Sequence, residues 1–95
     1  MEDIDIVPTK FELAQNYPNP FSDRTTIKFC IPDRMKIKLE IYDSGNRKVK
    51  TLVDEIKEAG TYKIELKANG LDSGEYLYKL ESKYFFESKK FKLMK

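Results

Sequence analysis

The sequence predicts an all-β domain, an antiparallel sandwich of about seven short strands. Apolar residues recur with a period of two, not the helical period of about 3.6. Turn-forming residues break the runs roughly every 8–12 positions, the spacing of sandwich strands. The chain of 95 residues suits one domain, not two. Successive side chains of a strand point to opposite faces, so a strand with one face on a core alternates apolar with polar.

The elements follow in order. A short strand is expected near residues 11–14. Over 25–31, Ile27, Phe29 and Ile31 alternate with Thr26, Lys28 and Cys30. Pro32 ends that run, because proline donates nothing to a ladder. Over 35–42, Ile37, Leu39 and Ile41 alternate with Lys36, Lys38, Glu40 and Tyr42. Asp43-Ser44-Gly45-Asn46 forms the next turn, where Gly45 or Asn46 supplies a positive φ. A strand over 47–53 follows. After Ala59-Gly60, residues 61–68 alternate again, with Tyr62, Ile64, Leu66 and Ala68 on the inner face. Asn69-Gly70 and Ser73-Gly74 break the chain before a strand over 75–82 with Tyr76, Tyr78 and Leu80 inward. The last strand, 84–94, is less regular and turns Phe91 and Leu93 to one side. Residues 1–10 hold Glu2, Asp3, Asp5 and Pro8 without a clear period, and read as a linker or disordered tail ahead of a domain over 11–95.

Composition narrows the function. Eighteen basic residues nearly balance sixteen acidic ones, for a net charge of +2. Lysines interleave with glutamates, as in Lys36, Lys38, Glu40 and Lys63, Glu65, Lys67. Such alternation reads as solvated strand faces, not the basic stripe of a nucleic-acid binder. No apolar run approaches the roughly 20 residues of a membrane span, so the chain is not expected to be membrane-embedded. Residues 1–10 lack an apolar core segment, so either the protein stays in the cytoplasm or its export signal lies outside this chain. The single cysteine, Cys30, forms no intrachain disulfide, and there is no tryptophan. Packing therefore rests on aliphatics together with six tyrosines and six phenylalanines.

The chain contains no histidine. That removes the commonest general base and any Ser-His-Asp or Cys-His arrangement within it. One cysteine and no histidine leave no structural zinc site, and no cofactor is expected. The carboxylates Asp43, Asp54, Glu55, Glu58 and Asp72 are read at turns or strand ends, where acidic residues are at home without catalytic work. Cys30 alternates with core positions, so it is expected to face away from the core as a passive thiol on a half-covered face. Tyr42, Tyr84 and Phe86 fall outside the core stripe and are the candidates for a carbohydrate platform, against the commoner role of packing.

From Phe11 onward the chain carries, in order, a series of motifs that resemble those of one domain family. The resemblance opens with Leu13-Ala14-Gln15-Asn16-Tyr17-Pro18-Asn19-Pro20-Phe21, whose last six residues are its most specific motif. Thr25-Thr26-Ile27-Lys28-Phe29 and Ile31-Pro32 follow. Leu39-Glu40-Ile41-Tyr42-Asp43 leads to Gly45-Asn46-Arg47-Lys48-Val49, with Asn46 extra to the family's Gly-Arg-Val. Thr51-Leu52-Val53, Ala59-Gly60-Thr61-Tyr62 and Leu71-Asp72-Ser73-Gly74-Glu75-Tyr76 keep the family's order, and the chain closes on Lys89-Lys90-Phe91-Lys92-Leu93-Met94-Lys95.

In these motifs and their order the chain resembles the C-terminal sorting domain (type A) of type IX secretion cargo, and this resemblance implies an immunoglobulin-like sandwich that directs an attached N-terminal cargo through an outer-membrane secretion apparatus to the cell surface or medium. The recognition candidates it gives are Asn16, Pro18, Asn19, Pro20, Phe21, Gly74, Tyr76, Lys89, Lys90, Lys92 and Lys95. The last strand is the expected readout element. A terminal edge offers backbone groups for strand addition, and its lysines add a positive handle. The Pro-Asn-Pro segment also reads as a rigid entry turn with Phe21 anchored on the core. Two rival readings stand beside this one. The immunoglobulin-like domain of flagellar hook-capping proteins is similar, but typically carries a Trp-Asp-Gly run that residues 66–71 lack. The other rival is an accessory carbohydrate-binding module.

Overall fold

The computed structural model describes residues 10–95. The expected linker, residues 1–10, lies outside the described residues except for Lys10. Seven strands follow in order: β1 (Glu12–Leu13), β2 (Arg24–Ile31), β3 (Met35–Asp43), β4 (Lys48–Lys57), β5 (Gly60–Lys67), β6 (Gly74–Glu81) and β7 (Phe86–Leu93). They form a three-stranded sheet, β1-β2-β5, and a four-stranded sheet, β4-β3-β6-β7. Every strand pairing is antiparallel. The chain changes sheet between β2 and β3, between β4 and β5, and between β5 and β6. The expected sandwich and all seven strands are found.

The core is the sum of the inward-facing positions. Ile27, Phe29 and Ile31 from β2 meet Ile37, Leu39 and Ile41 from β3, with Leu66, Tyr78, Leu80, Phe91 and Leu93 completing the layer. Each fully buried Ile or Leu contributes about 1.5–3 kcal/mol relative to exposure, so the layer supplies most of the driving force. The Tyr78 hydroxyl donates to the carbonyl of Ala14 and ties the β1 end to the opposite sheet. Burial pushes that hydroxyl up to about 12. The Tyr76 hydroxyl donates to the carbonyl of Asp72, 2.6 Å away, at the entry to β6. A tyrosine bonded back to the chain just upstream is a hallmark of immunoglobulin-like sandwiches. Phe11 stacks on Phe85, with centroids 4.5 Å apart, and fixes where the chain enters.

Three expectations need correction. The strand expected at 47–53 runs to Lys57, so Asp54 and Glu55 lie within β4 and not at its end. β4 is a sheet edge with little alternation to read, since Val53 is its one buried residue. Its register against β3 also slips twice, after Leu39↔Val53 and after Ile41↔Lys50. Cys30 does point away from the core, yet it is only 8% exposed and so not half-covered. Glu12 and Thr61 lie across from it and close over the thiol. Glu40, expected on a solvated face, is 7% exposed. It accepts from the Tyr42 hydroxyl at 3.1 Å and from Lys48 Nζ at 3.2 Å.

The Asp43 turn forms as expected, and Asn46 is the residue with positive φ, at 64°. Asp43 Oδ1 accepts from the amides of Gly45 and Arg47, both at 2.9 Å. The Arg47 amide foremost holds this carboxylate below its usual range.

Candidate functional site: the motif loop against the terminal strand

Residues 15–21 leave β1 and cross from one sheet to the other. Asn16 is 2% exposed. Its Nδ2 donates to Thr25 Oγ1 at 3.0 Å and to the Pro18 carbonyl at 3.3 Å. The Thr25 hydroxyl donates to the same carbonyl at 2.8 Å. A buried amide left unpaired costs about 1–3 kcal/mol, so this small network fixes the path of the loop. Tyr17 exchanges both of its backbone bonds with Thr26, each 3.0 Å long. The Tyr17-Pro18 and Asn19-Pro20 peptide bonds are both cis.

Beyond Asn16 the loop reaches the terminal strand. Gln15 Nε2 donates to the carbonyl of Lys90 at 2.8 Å. Asn19 Oδ1 accepts from the Lys92 amide at 3.0 Å. The Phe21 amide donates to the Lys92 carbonyl at 3.2 Å, and the Met94 amide donates to the Phe21 carbonyl at 2.8 Å. Phe21 thereby lies parallel to Leu93 as a one-residue extension of the sheet. Its buried ring sits 5.6 Å from that of Phe91, which in turn stacks on Tyr76 at 5.4 Å. Gly74 pairs with Leu93, and the Lys95 amide donates to Ser73 Oγ.

The expected open edge on the last strand is therefore not found along its final residues. Antiparallel strands expose alternate backbone groups on each side. On the outer side of β7, the Lys90 carbonyl, both backbone groups of Lys92 and the Met94 amide already have partners. The motif loop occupies the place where an added strand would lie.

A family model described as a secretion system C-terminal sorting domain matches residues 15–93. The match begins at the loop just described and ends on the strand it holds. The chain belongs to the secretion system C-terminal sorting domain family. Domains of this family are the C-terminal sorting signal of type IX secretion and mark proteins for export through the periplasm to the cell surface or medium. They imply a fused cargo and the secretion machinery as partners. No curated protein and no solved structure matches the chain. The findings support neither the hook-capping nor the carbohydrate-binding reading.

Within the sorting domain, the residues taken from the resemblance fall into two groups. Asn19, Phe21, Gly74, Tyr76 and Lys92 meet around the end of β7, through bonds to Lys92's backbone, the Gly74–Leu93 pairing and the stacked rings, while Asn16 stands one step back in its network with Thr25 and Pro18. Pro18 and Pro20 are exposed and line a shallow cleft with Phe21, Ser22 and Met94. The four lysines do not form one surface. Lys89 alternates with Lys90 and Lys92 along β7, on the side of Phe91, and pairs with Glu87 at 3.4 Å. Lys90 and Lys92 stand on the outer face of the four-stranded sheet, beside Leu77 and Glu75. Lys95 lies past the strand.

The other candidates have structural partners in the sorting domain. Asp54 pairs with Lys36 at 3.7 Å, Glu55 with Lys57 at 3.0 Å and Glu58 with Arg34 at 2.9 Å. Tyr42 is half-buried under Lys79 Nζ, 4.0 Å from the ring centre. Tyr84 and Phe86 are exposed. Tyr42 sits beside Leu77 and Phe86 beside Glu81, on opposite sides of β6 and about 13 Å apart along it. The three aromatics make no single platform. Gln15 and Thr25 stand in the quoted motif runs yet are not among the recognition candidates. Period two also places Thr25 on the inner side with Ile27, whereas Gln15 carries no signal beyond the motif itself.

Proposed function

We propose that this chain is a folded, non-catalytic address label. It carries a cargo joined ahead of residue 11, and its motif loop positions the terminal strand for the outer-membrane apparatus. The observation that carries this reading is the clamp on Lys92: Asn19 takes its amide and Phe21 its carbonyl. Asn16, Asn19, Phe21, Gly74 and Tyr76 act as positioning residues. Lys90, Lys92 and Lys95, with Pro18 and Pro20, form the presented end. The absence of histidine and the structural partners of the candidate carboxylates support a label without chemistry of its own. The partner is protein, in keeping with a net charge of only +2.

A periplasm-targeted reporter fused ahead of the chain tests this in a host with the apparatus. The full fusion reaches the surface or medium, and the fusion lacking residues 89–95 stays in the periplasm. Equal export of the two would overturn the reading.

A further inference from the structure

We infer that the outer face of the three-stranded sheet is a docking surface for an acidic protein partner, with Tyr17 as its aromatic anchor. This rests on the sorting reading and adds to it where the partner binds and with what chemistry.

Motif residues Asn16, Asn19 and Phe21 each have a task inside the fold: a buried network, a strand amide and a core contact. Tyr17 differs. Both of its backbone groups are pinned to Thr26, while its side chain is 81% exposed. The result is a large aromatic ring held out from a rigid backbone. Rigid exposed aromatics with few rotatable bonds are the usual centres of protein interfaces.

The surroundings of Tyr17 give the partner's chemistry. Tyr17 is bridged to Thr26, which stands opposite Glu65. The rows on either side put like charges face to face, Lys28 against Lys63 and Arg24 against Lys67. Like charges directly opposite one another destabilise a sheet. Arg24 has Glu65 and Asp23 within 3.4 Å. Lys28, Lys63 and Lys67 have no ion pair among the described residues. This arrangement works against the isolated fold and is relieved by carboxylates arriving from outside. The occupant is thus a protein surface with acidic groups around an apolar slot that takes the Tyr17 ring. Complementary charge would also speed the encounter.

The test uses the full chain behind an exported reporter, in four forms: unaltered, Tyr17→Ala, Tyr17→Phe and the double variant Lys28→Glu/Lys63→Glu. Lys50→Glu, on the edge of the other sheet, is the control. Losing a central aromatic anchor lowers affinity about tenfold or more, so Tyr17→Ala is expected to cut the exported fraction about tenfold. The double reversal is expected to do likewise, while Tyr17→Phe and Lys50→Glu export as the unaltered chain does. Melting temperatures separate docking from folding, and Tyr17→Ala leaves the melting temperature unchanged. Normal export of both Tyr17→Ala and the double variant overturns the inference and leaves the sorting reading standing. Failure of the unaltered fusion to export overturns the sorting reading itself. Binding of the purified chain to phosphatidylglycerol vesicles, lost in the double variant, also overturns the inference by making a lipid surface the occupant.

Discussion

The two outer faces of the sandwich solve the same problem differently. On the four-stranded sheet, charged neighbours across strands have opposite signs: Lys38 faces both Asp54 and Glu81, Glu40 faces Lys79, and Glu75 faces Lys92. Glu40 is nearly buried there beneath Tyr42 and Lys48. On the three-stranded sheet, Lys28 faces Lys63 and Arg24 faces Lys67. One face sets opposite charges against each other across its strands, and the other sets like charges face to face. Composition hides this contrast completely, because the chain as a whole is close to neutral. The cross-strand register reveals it.

The contrast is broken most severely from the satisfied side. Glu40→Lys sets a cation against Lys79 and Lys48 and removes the acceptor of the Tyr42 hydroxyl. A loss of about 1–3 kcal/mol is expected in urea unfolding, because Glu40 is covered while Lys48 is half exposed. An intermediate effect is expected at the tie between the sheets. Tyr78→Phe deletes the bond to the Ala14 carbonyl and is expected to lose about 1 kcal/mol. It also changes the alkaline limb. The folded Tyr78 hydroxyl, raised to about 12, holds its proton where the unfolded one, near the ordinary tyrosine value of 10.0, releases it. This contribution is complete below pH 10 and is lost as pH rises towards 12. Stability measured over that window therefore falls less steeply in Tyr78→Phe.

The unsatisfied face yields the smallest effect and the most pointed one. Lys63→Glu turns the pair with Lys28 into opposite charges. It is expected to stabilise the fold by about 0.2–1 kcal/mol while weakening export. The gain shrinks in 1 M salt, where exposed charges are screened within roughly 3 Å. A variant that is steadier and yet sorted less well separates docking from folding.

At the acid end, Asp43 sharpens the picture of the β3–β4 turn. Its carboxylate lies below the usual range, so its support is present above that range and fades as pH falls through the lowered value. NMR of the Gly45 and Arg47 amides across the acid titration is expected to show both bonds releasing together. The same titration of Asp43→Asn shows no such step.

What the sequence makes legible follows from period and burial. β2, β3 and β6 each put one full face on the core, so alternation announces them and assigns Ile27, Leu39 and Tyr78 inward without error. β4 buries only Val53, so its last residues carry no pattern and the sequence puts its end too early. Polar residues covered by neighbours are also invisible to a period-two rule. Glu40 and Cys30 lie on outer faces, and only the neighbouring side chains above them decide that they are covered. The motif from Asn16 to Phe21 is plain as a string and supports the family. Its work is not plain, because Asn19 and Lys92 meet across 73 positions of sequence. The exposed placement of Tyr17 depends on the path of the whole loop.

The central claim is that the motif exists to hold the terminal strand, and backbone hydrogen exchange at Lys92 tests it most directly. If the claim is right, the Lys92 and Met94 amides exchange about tenfold or more slowly than that of Ser88, upstream on the same outer edge, and Asn19→Ala releases Lys92 while Phe91 and Leu93, paired to β6, stay protected. If Lys92 in the unaltered chain exchanges as fast as Ser88, the loop does not clamp the strand and the account is contradicted.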